Sequence, residues 1–228
     1  KMQAHCASLV ERLIKHIGPP FVFDPVPGLM RSYERMGSRH LARNGSNISP
    51  VLLGLKQKQE DGGGSHGISR ILSRLRRLPS EPYREMTFVK TLLNDVIFGL
   101  VENTTGRLVD ARLLSDGTLR TLAILTLLES ETRNSRIIIE GFDSGLHPAC
   151  VRVLTEALQE SCGEQALNVL VSTHNPAVLD ALDATRMDGV MLSLWDKSIG
   201  AFNLTKLSGL CDYEEFLRSG RIGELCLA

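Results

Sequence analysis

The stretch from Arg136 to Pro148, Arg-Ile-Ile-Ile-Glu-Gly-Phe-Asp-Ser-Gly-Leu-His-Pro, decides the fold. Its three consecutive isoleucines predict a strand within a sheet, and a polar loop follows them. Glu140 ends this strand, and an acid in that place is typical of proteins that hold Mg²⁺ or its water shell beside a phosphate. The alternative is a strand that ends at an ordinary polar loop, and this stretch alone does not separate the two.

The segments around this strand alternate between helical and strand-like patterns. Helices are predicted at 118–128, 148–160 and 177–182, and strands at 137–140, 168–172, 189–195 and 200–204. Apolar strands that alternate with helices of this length predict an α/β fold with a parallel sheet whose strands are buried on both faces. Ligands bind such sheets at the carboxyl ends of the strands, and the notable polar residues lie there.

The first part of the chain has a different pattern. It predicts helices at 4–17 and 50–58, a short strand at 21–23, a loop at 59–67, a helix at 88–94, and strands at 96–101 and 107–113. Between them, one helical stripe is formed by Ile68, Ile71, Leu72, Leu75 and Leu78. We therefore divide the chain into a helical arm segment with a basic stripe, 1–85, and a C-terminal lobe, 86–228.

The composition excludes several classes of protein. The chain has 228 residues, 43% hydrophobic and 23% charged, which is the balance of a folded protein with a sizeable core. No apolar run approaches the roughly 20 residues that cross a bilayer, so we expect no membrane partner. Five scattered cysteines without a Cys-x-x-Cys pair disfavour a disulfide framework and a zinc site. These features predict a cytoplasmic protein with reduced thiols.

Positive charge is concentrated in one part of the chain. Residues 31–84 hold eleven Lys and Arg against four acids, whereas residues 85–228 hold twelve against twenty. Two sets of arginines would each share a helical face: Arg70, Arg74 and Arg77, and, if their segment is helical, Arg31, Arg35, Arg39 and Arg43. Such a stripe favours contacts with nucleic-acid phosphates. The alternative is a set of solvated helix faces whose charge is neutralised by acids elsewhere.

Two more polar segments lie beside predicted strands. Leu114-Ser-Asp-Gly-Thr-Leu-Arg120 precedes a helix, where a hydroxyl, a glycine and free helix amides form a cradle for an anion. Taken alone, an ordinary turn and N-cap explains it better. Leu170-Val-Ser-Thr-His-Asn-Pro176 places His174 at the carboxyl end of a strand. A single histidine is usually structural, but three polar segments in this order are more specific than any one of them.

Together these segments resemble the ABC-type ATPase heads of the RecF/SMC/OLD-like group, bacterial ATPases often grouped with AAA proteins. Residues 114–120 resemble the signature loop, 137–140 and 144–148 the Walker B strand and D-loop, and 172–176 the histidine switch. The resemblance runs from about residue 21 to the C-terminus. It implies a P-loop NTPase-like sheet flanked by helices, with a helical insertion, and it implies ATP and Mg²⁺ as ligands.

The resemblance also implies roles for individual residues. ATP would be contacted by Ser115, Asp116, Gly117, Thr118, Ser144 and His174. Glu140 would hold the metal, and Glu140, Asp143 and His174 would be the catalytic residues. The signature loop of one head would close over ATP held by the P-loop of another. This predicts a dimer of identical or homologous heads with the nucleotide between them.

The chain departs from this pattern in two places. A P-loop requires Gly-x-x-x-x-Gly-Lys-Ser/Thr, and of the seven lysines only Lys90 and Lys197 precede Thr or Ser, neither after a glycine. The chain also opens with Lys1, so we expect the P-loop half to lie in the same longer protein or on a separate chain. The second departure is Gly141, where relatives carry a second acid that polarises the attacking water. Asp143 is the candidate substitute.

The resemblance leaves several functions open. The first is an ATPase head that works on DNA, as in repair, or controls a separate effector nuclease or toxin in anti-phage defence. The second is a nucleotide-sensing scaffold that binds ATP, hardly hydrolyses it and holds an effector, which Gly141 favours. A transporter ATPase subunit is weaker, because the signature departs from Leu-Ser-Gly-Gly-Gln.

Overall fold

The computed structural model describes residues 20–62, 66–78, 83–197, 200–210, 213 and 218, so the predicted helix at 4–17 lies outside the described residues. The strands are β1 (Phe21–Phe23), β2 (Glu34–Arg35), β3 (Tyr83–Lys90), β4 (Asp95–Glu102), β5 (Leu108–Asp110), β6 (Arg136–Ile139), β7 (Asn168–Val171), β8 (Met191–Asp196) and β9 (Ala201–Lys206). The helices are α1 (Ile48–Glu60), α2 (Gly67–Leu75), α3 (Asp116–Ser130), α4 (Pro148–Glu164) and α5 (Pro176–Asp180).

The isoleucine strand β6 is the centre of a parallel sheet with the order β1-β6-β7. Alternate side chains of these strands, such as Phe23, Ile137 and Ile139, join one buried core with apolar residues of α3 and α4. Both helices therefore lie on the same side of the sheet as these side chains. The predicted α/β fold, a parallel sheet with flanking helices, is confirmed.

The opposite face of the parallel sheet stays open within the described part of the chain. The register aligns Val22, Ile138 and Leu170 in one row across this face. None of the three belongs to the core, and Leu170 is 65% exposed. A groove of about 300 Å³ runs along the face, bordered by Pro20, Arg136, Ile138, Asn168 and Leu170. The expectation of strands buried on both faces is therefore wrong for the described residues.

A second sheet is antiparallel and was predicted only in part. β4 pairs with β3 along one edge and with β2 and β5 along the other, and its interior residues are buried. The predicted strands at 96–101 and 107–113 correspond to β4 and to β5 with the 3-10 turn Ala111–Leu113. The predicted helix at 88–94 is wrong: Phe88 lies in β3 and pairs with Phe98. Cross-strand pairing outweighs the local pattern of a short apolar run, which does not distinguish strand from helix.

The arm segment is helical only in part. α1 and α2 are observed as helices, and α2 buries the predicted stripe of Ile68, Ile71, Leu72, Leu75 and, just after it, Leu78. Residues 31–43 form no helix; a 3-10 turn (Pro27–Arg31), β2 and bends occupy this part of the chain. The arginines of this segment therefore share no helical face. One core includes Leu52 and Leu122, from either side of residue 85, and the division there stays a prediction.

The last two strands form a hairpin beside the main core. β8 pairs with β9, as the two strands predicted at 189–195 and 200–204 anticipated, and Leu192 packs on a small cluster of Leu179, Met187 and Leu207. Trp195 and Phe202 stack edge to face on the hairpin and are exposed. Among the described residues, no helix combines the length and apolar character that crossing a membrane requires.

Candidate functional site

The first residues after the three parallel strands form a polar row. Phe23, Ile139 and Val171 are in register, so Asp24, Glu140 and Ser172 follow them side by side, with neighbouring strands about 4.8 Å apart. The ladder continues one step beyond the strands, because Glu140 N donates to Phe23 O at 3.3 Å and Ser172 N donates to Ile139 O at 3.1 Å. We call Asp24, Glu140 and Ser172 the strand-end row.

The turn after Glu140 is fixed to this row. Gly141 N donates to Ser172 Oγ at 3.0 Å, and Phe142 N donates to Ser172 O at 3.0 Å. Ser144 N closes the turn by donating to Gly141 O at 2.9 Å. The ring of Phe142 is buried in the core and anchors the turn there. The backbone from 140 to 144 therefore has one well-defined course.

Gly141 is the position where relatives carry the second acid. Its φ is +55°, in the left-handed region that side chains rarely adopt. A Cβ at this position would collide with Ser144 Oγ and would lie 4.0 Å from Arg120 Nη2. The turn therefore favours a glycine. The Ser144 hydroxyl and the Arg120 guanidinium lie near the place that the Cβ of an acid at position 141 would occupy.

The turn at residues 115–117 packs beside the loop at residues 144–146. Ser115 Oγ accepts a hydrogen bond from Thr118 N at 3.0 Å and thereby caps α3. Ser115 is exposed, whereas Thr118 is buried, so only the serine presents its side chain to the surface. A Cβ on Gly117 would lie 3.5 Å from Gly145 O. Residues 115–117 and 144–145 thus form one surface, which no sequence spacing could reveal.

Two arginines connect residues 114–120 to other parts of the chain, and the sequence predicted neither of them as a site residue. Arg31 donates to Leu114 O at 2.9 Å and to the Asp116 carboxylate at 2.5 Å. Arg120 donates to Pro25 O at 3.2 Å and lies 3.4 Å from Asp24 Oδ1. Asp24 was also missed, because its place beside Glu140 follows from the pairing of β1 with β6, more than a hundred residues away.

The remaining predicted residues surround the row. His174 is exposed and follows β7, next to Asn175, whose side chain caps α5 by accepting from Ala177 N at 3.0 Å. Asp143 is half-buried in the turn, and its backbone carbonyl accepts from Leu146 N at 3.0 Å. Ser144 is exposed beside Gly141. The structure therefore brings residues 115–117, residues 144–145 and the strand-end row to one side of the molecule.

The donor set fits a cation that is shared with phosphate. In the described residues, no group of three or more His, Cys, Asp or Glu could hold a metal ion by itself. Glu140 offers a hard, exposed carboxylate at the strand end. Mg²⁺ usually keeps several waters and binds through one or two carboxylates plus substrate phosphates. Glu140 would be the ligand that this chain contributes, directly or through a water.

Arg70 and Arg74 of α2, and Arg77 just after this helix, are paired with acids. Arg70 and Arg74 both bind the Glu129 carboxylate, which is 1% exposed, and Arg74 also binds Glu160 at 2.8 Å. The pKa of Arg70 is raised, first by its hydrogen bonds to Glu129. Arg77 pairs with Glu156. These pairs join α2 to α3 and α4, and they use the donors that a nucleic-acid phosphate would need, so this geometry supports a structural role for the three arginines.

Comparisons with known proteins identify the family to which the chain belongs. No curated protein matches the chain. A solved chain from work on "ATP-driven dimerization and DNA stimulated activation of SMC ATPases" is 13% identical, with a TM-score of 0.46 over 71% of this chain and 97% of that one, and nothing about activity follows from so distant a likeness. Residues 33–180, well over half of the chain, match the family described as "AAA domain, putative AbiEii toxin, Type IV TA system". The chain therefore belongs to this family of AAA-type ATPase domains.

Proposed function

We propose that this chain forms the signature, Walker B and histidine-switch part of an ATPase head, which associates with a second head around ATP. The observation that carries the proposal is the common surface of residues 115–117 and 144–145 beside the strand-end row. The start of α3 points its free amides toward this surface, and such amides favour an anion. This surface could close over a nucleotide that is bound by another head.

A P-loop segment completes the head in this proposal. The described row contains the acids Asp24 and Glu140 but no lysine, and a triphosphate needs amides and a cation to hold it. A P-loop is the link between a strand and the helix that follows it. If that strand is parallel to β7, its carboxyl end reaches the strand-end row, beside Glu140 and His174.

The open parts of the parallel sheet support this placement. The chain just after β1 is covered on its outer side, since Asp24 N donates to Arg43 O at 2.9 Å, whereas no described strand pairs with the outer edge of β7. Parallel sheets are generally covered on both faces. A strand beside β7 would fill the edge, and its helix would cover Val22, Ile138 and Leu170. The P-loop segment would be part of the same longer protein or a separate chain.

The test is association of the complete ATPase, meaning this chain together with its P-loop segment. Its mass in solution is measured by light scattering with and without ATP and Mg²⁺. The parent is expected to double its mass with ATP. Ser115→Arg is expected to fold normally but to stay at the smaller mass, because a bulky cation would occupy the surface that faces the nucleotide. Normal ATP-dependent association of Ser115→Arg would overturn the proposal.

The lack of a side chain at Gly141 supports slow hydrolysis. A positioned general base typically contributes about 10²- to 10⁴-fold in rate, which corresponds to about 3 to 5 kcal/mol. If no other side chain supplies the base, turnover would be well below the roughly 1 to 10³ per second that is usual for enzymes, with a long-lived ATP-bound state. The second candidate, a scaffold that senses nucleotide and holds an effector, becomes the better description if single-turnover hydrolysis is undetectable.

In this proposal, the ATP cycle acts on other molecules, either a separate effector protein or DNA. A role in anti-phage defence or DNA repair in the cytoplasm would require an effector nuclease or toxin as a separate protein, or DNA as a partner. The description of the family as a toxin of a toxin–antitoxin system favours an effector over a permease. DNA contacts through Arg70, Arg74 and Arg77 are not part of the proposal, because these side chains bind Glu129, Glu156 and Glu160.

A further inference from the structure

We propose that Asp24 supplies the second carboxylate of this site, in place of the acid that position 141 lacks; the role rests on the proposed ATPase function. Asp24 follows β1 as Glu140 follows β6, and the two strands are neighbours in register. The side chain of Asp24 is 61% exposed at the strand ends, so its carboxylate is accessible to water.

Arg120 connects Asp24 to the vacant position. Its Nη2 lies 3.4 Å from Asp24 Oδ1 and 4.0 Å from the point where a Cβ on residue 141 would be. An acid at 141 would therefore meet the same guanidinium that now faces Asp24. In this proposal, Asp24 on the adjacent strand provides the carboxylate that residue 141 lacks, and this carboxylate is the partner of the Arg120 guanidinium.

The hydrogen bonding of Arg120 agrees with a functional role. Its side chain is 15% exposed, and its Nε is buried without an acceptor among the described residues. A buried donor without a partner is rare and requires an explanation, such as a group that is present only in the working site. Arg120 stands on α3, four positions after the signature residue Asp116, so it also links the signature helix to the row. We assign Arg120 as the positioning residue for Asp24.

The proposed step is hydrolysis of the γ-phosphate. The water oxygen forms a bond to the γ-phosphorus, while the bond from that phosphorus to the β,γ-bridging oxygen breaks and its electron pair leaves with ADP. The Asp24 carboxylate orients the water and accepts its proton. Glu140 would hold the cation and Asp24 would accept the proton, so the two carboxylates would have separate roles.

The experiment measures single-turnover hydrolysis and ATP-dependent mass for the complete ATPase. Asp24→Asn keeps the shape of the side chain and removes the base, so hydrolysis is expected to fall about 10²-fold or more, with association unchanged. Asp188→Asn makes the same change on an exposed acid of the 3-10 turn Ala184–Gly189 and is expected to match the parent. Arg120→Gln is expected to slow hydrolysis, and Arg120→Lys to restore part of it.

Other outcomes overturn the role of Asp24. Hydrolysis by Asp24→Asn at the parent rate shows that the carboxylate is not the base, and a loss confined to Asp143→Asn assigns the base to Asp143. Loss of ATP-dependent association in Asp24→Asn shows a structural role instead. A parent that associates with ATP but never hydrolyses it refutes Asp24 and leaves the proposed function standing, whereas a parent that does not associate refutes both.

Discussion

The antiparallel sheet around β4 and the parallel sheet around β6 differ in how far the described residues complete them. The antiparallel sheet surrounds β4, which is paired on both edges and buried along its interior. The parallel sheet ends at β7, which is paired on one edge and carries Leu170 with 65% of its side chain exposed. Both sheets contribute side chains to one core, and the open sheet bears the strand-end row. In the proposed function, the site depends on a segment that covers the open sheet.

The largest expected effect comes from removing a ring from the complete sheet. Phe98 in β4 is 1% exposed, and Phe98→Ala would leave a cavity in the main core. Such changes cost about 3 to 5 kcal/mol of the free energy of unfolding. Leu170→Ala is the control in the open sheet, and it should cost less than about 0.5 kcal/mol, as for surface positions. Urea denaturation measures both, and equal losses would remove the distinction between the sheets.

Charge on the open face is the next test. Leu170→Asp should leave the stability of this chain unchanged but weaken its binding to the P-loop segment by about 10²-fold or more, because the carboxylate would be buried without a partner. Leu92→Asp is a matched control, since Leu92 is fully exposed in the turn between β3 and β4. Titration calorimetry gives both affinities. Equal binding by the two variants would mean that the open face is not covered by that segment.

A smaller effect is expected where α2 is joined to α3. Glu129→Gln removes the buried charge that Arg70 and Arg74 share, and a buried charged donor left with a weaker partner costs about 1 to 3 kcal/mol. Arg77→Met breaks a more exposed pair with Glu156 and should cost less than about 1 kcal/mol. Thermal unfolding compares them. If Arg77→Met proves the more damaging change, the Glu129 cluster is not the main connection between the arm and α3.

The sequence was sufficient for the local patterns and insufficient for the long-range ones. The isoleucines of β6, the Ser115 cap and the apolar stripe of α2 are read from neighbours in the chain, and all three are observed. The pairing of β1 with β6 joins residues that are far apart in sequence, so the sequence alone does not place Asp24 and Arg120 at the site. The spacing of Arg70, Arg74 and Arg77 predicts a shared helical face. It does not show that α3 and α4 bring acids to that face.

The expectation of strands buried on both faces failed for a different reason. An apolar row such as Val22, Ile138 and Leu170 predicts burial, but it does not tell which segment provides the cover. The helix predicted at 88–94 failed because a short apolar run fits both periods, and pairing with β4 decided the outcome. The antiparallel sheet, which was predicted only in part, is thus the sheet in which β4 is paired on both edges within the described residues.

The smallest effect is a pH dependence within the complete sheet. Hydrogen bonds from Arg112 lower the pKa of Asp110 at the end of β5. Its contribution is therefore present above the ordinary carboxyl pKa of about 4 and is lost as the pH falls through the lower, folded value. Because Arg112 is exposed, screening by solvent should keep this contribution small. Asp110→Asn should lose this part of the acid dependence of stability, and an unchanged acid profile would contradict the assignment.

The most direct test is amide hydrogen exchange at the edge of β7. Asn168 N and Ser172 N donate toward β6, so by the alternation of a strand the amide of Val171 points to the open edge. We predict that the interior amides of β4 exchange slowly in this chain alone, that the Val171 amide exchanges rapidly, and that adding the P-loop segment slows Val171 by about 10²-fold or more. Slow exchange at Val171 in the chain alone, or fast exchange that the P-loop segment leaves unchanged, would contradict the account of an open sheet completed by that segment.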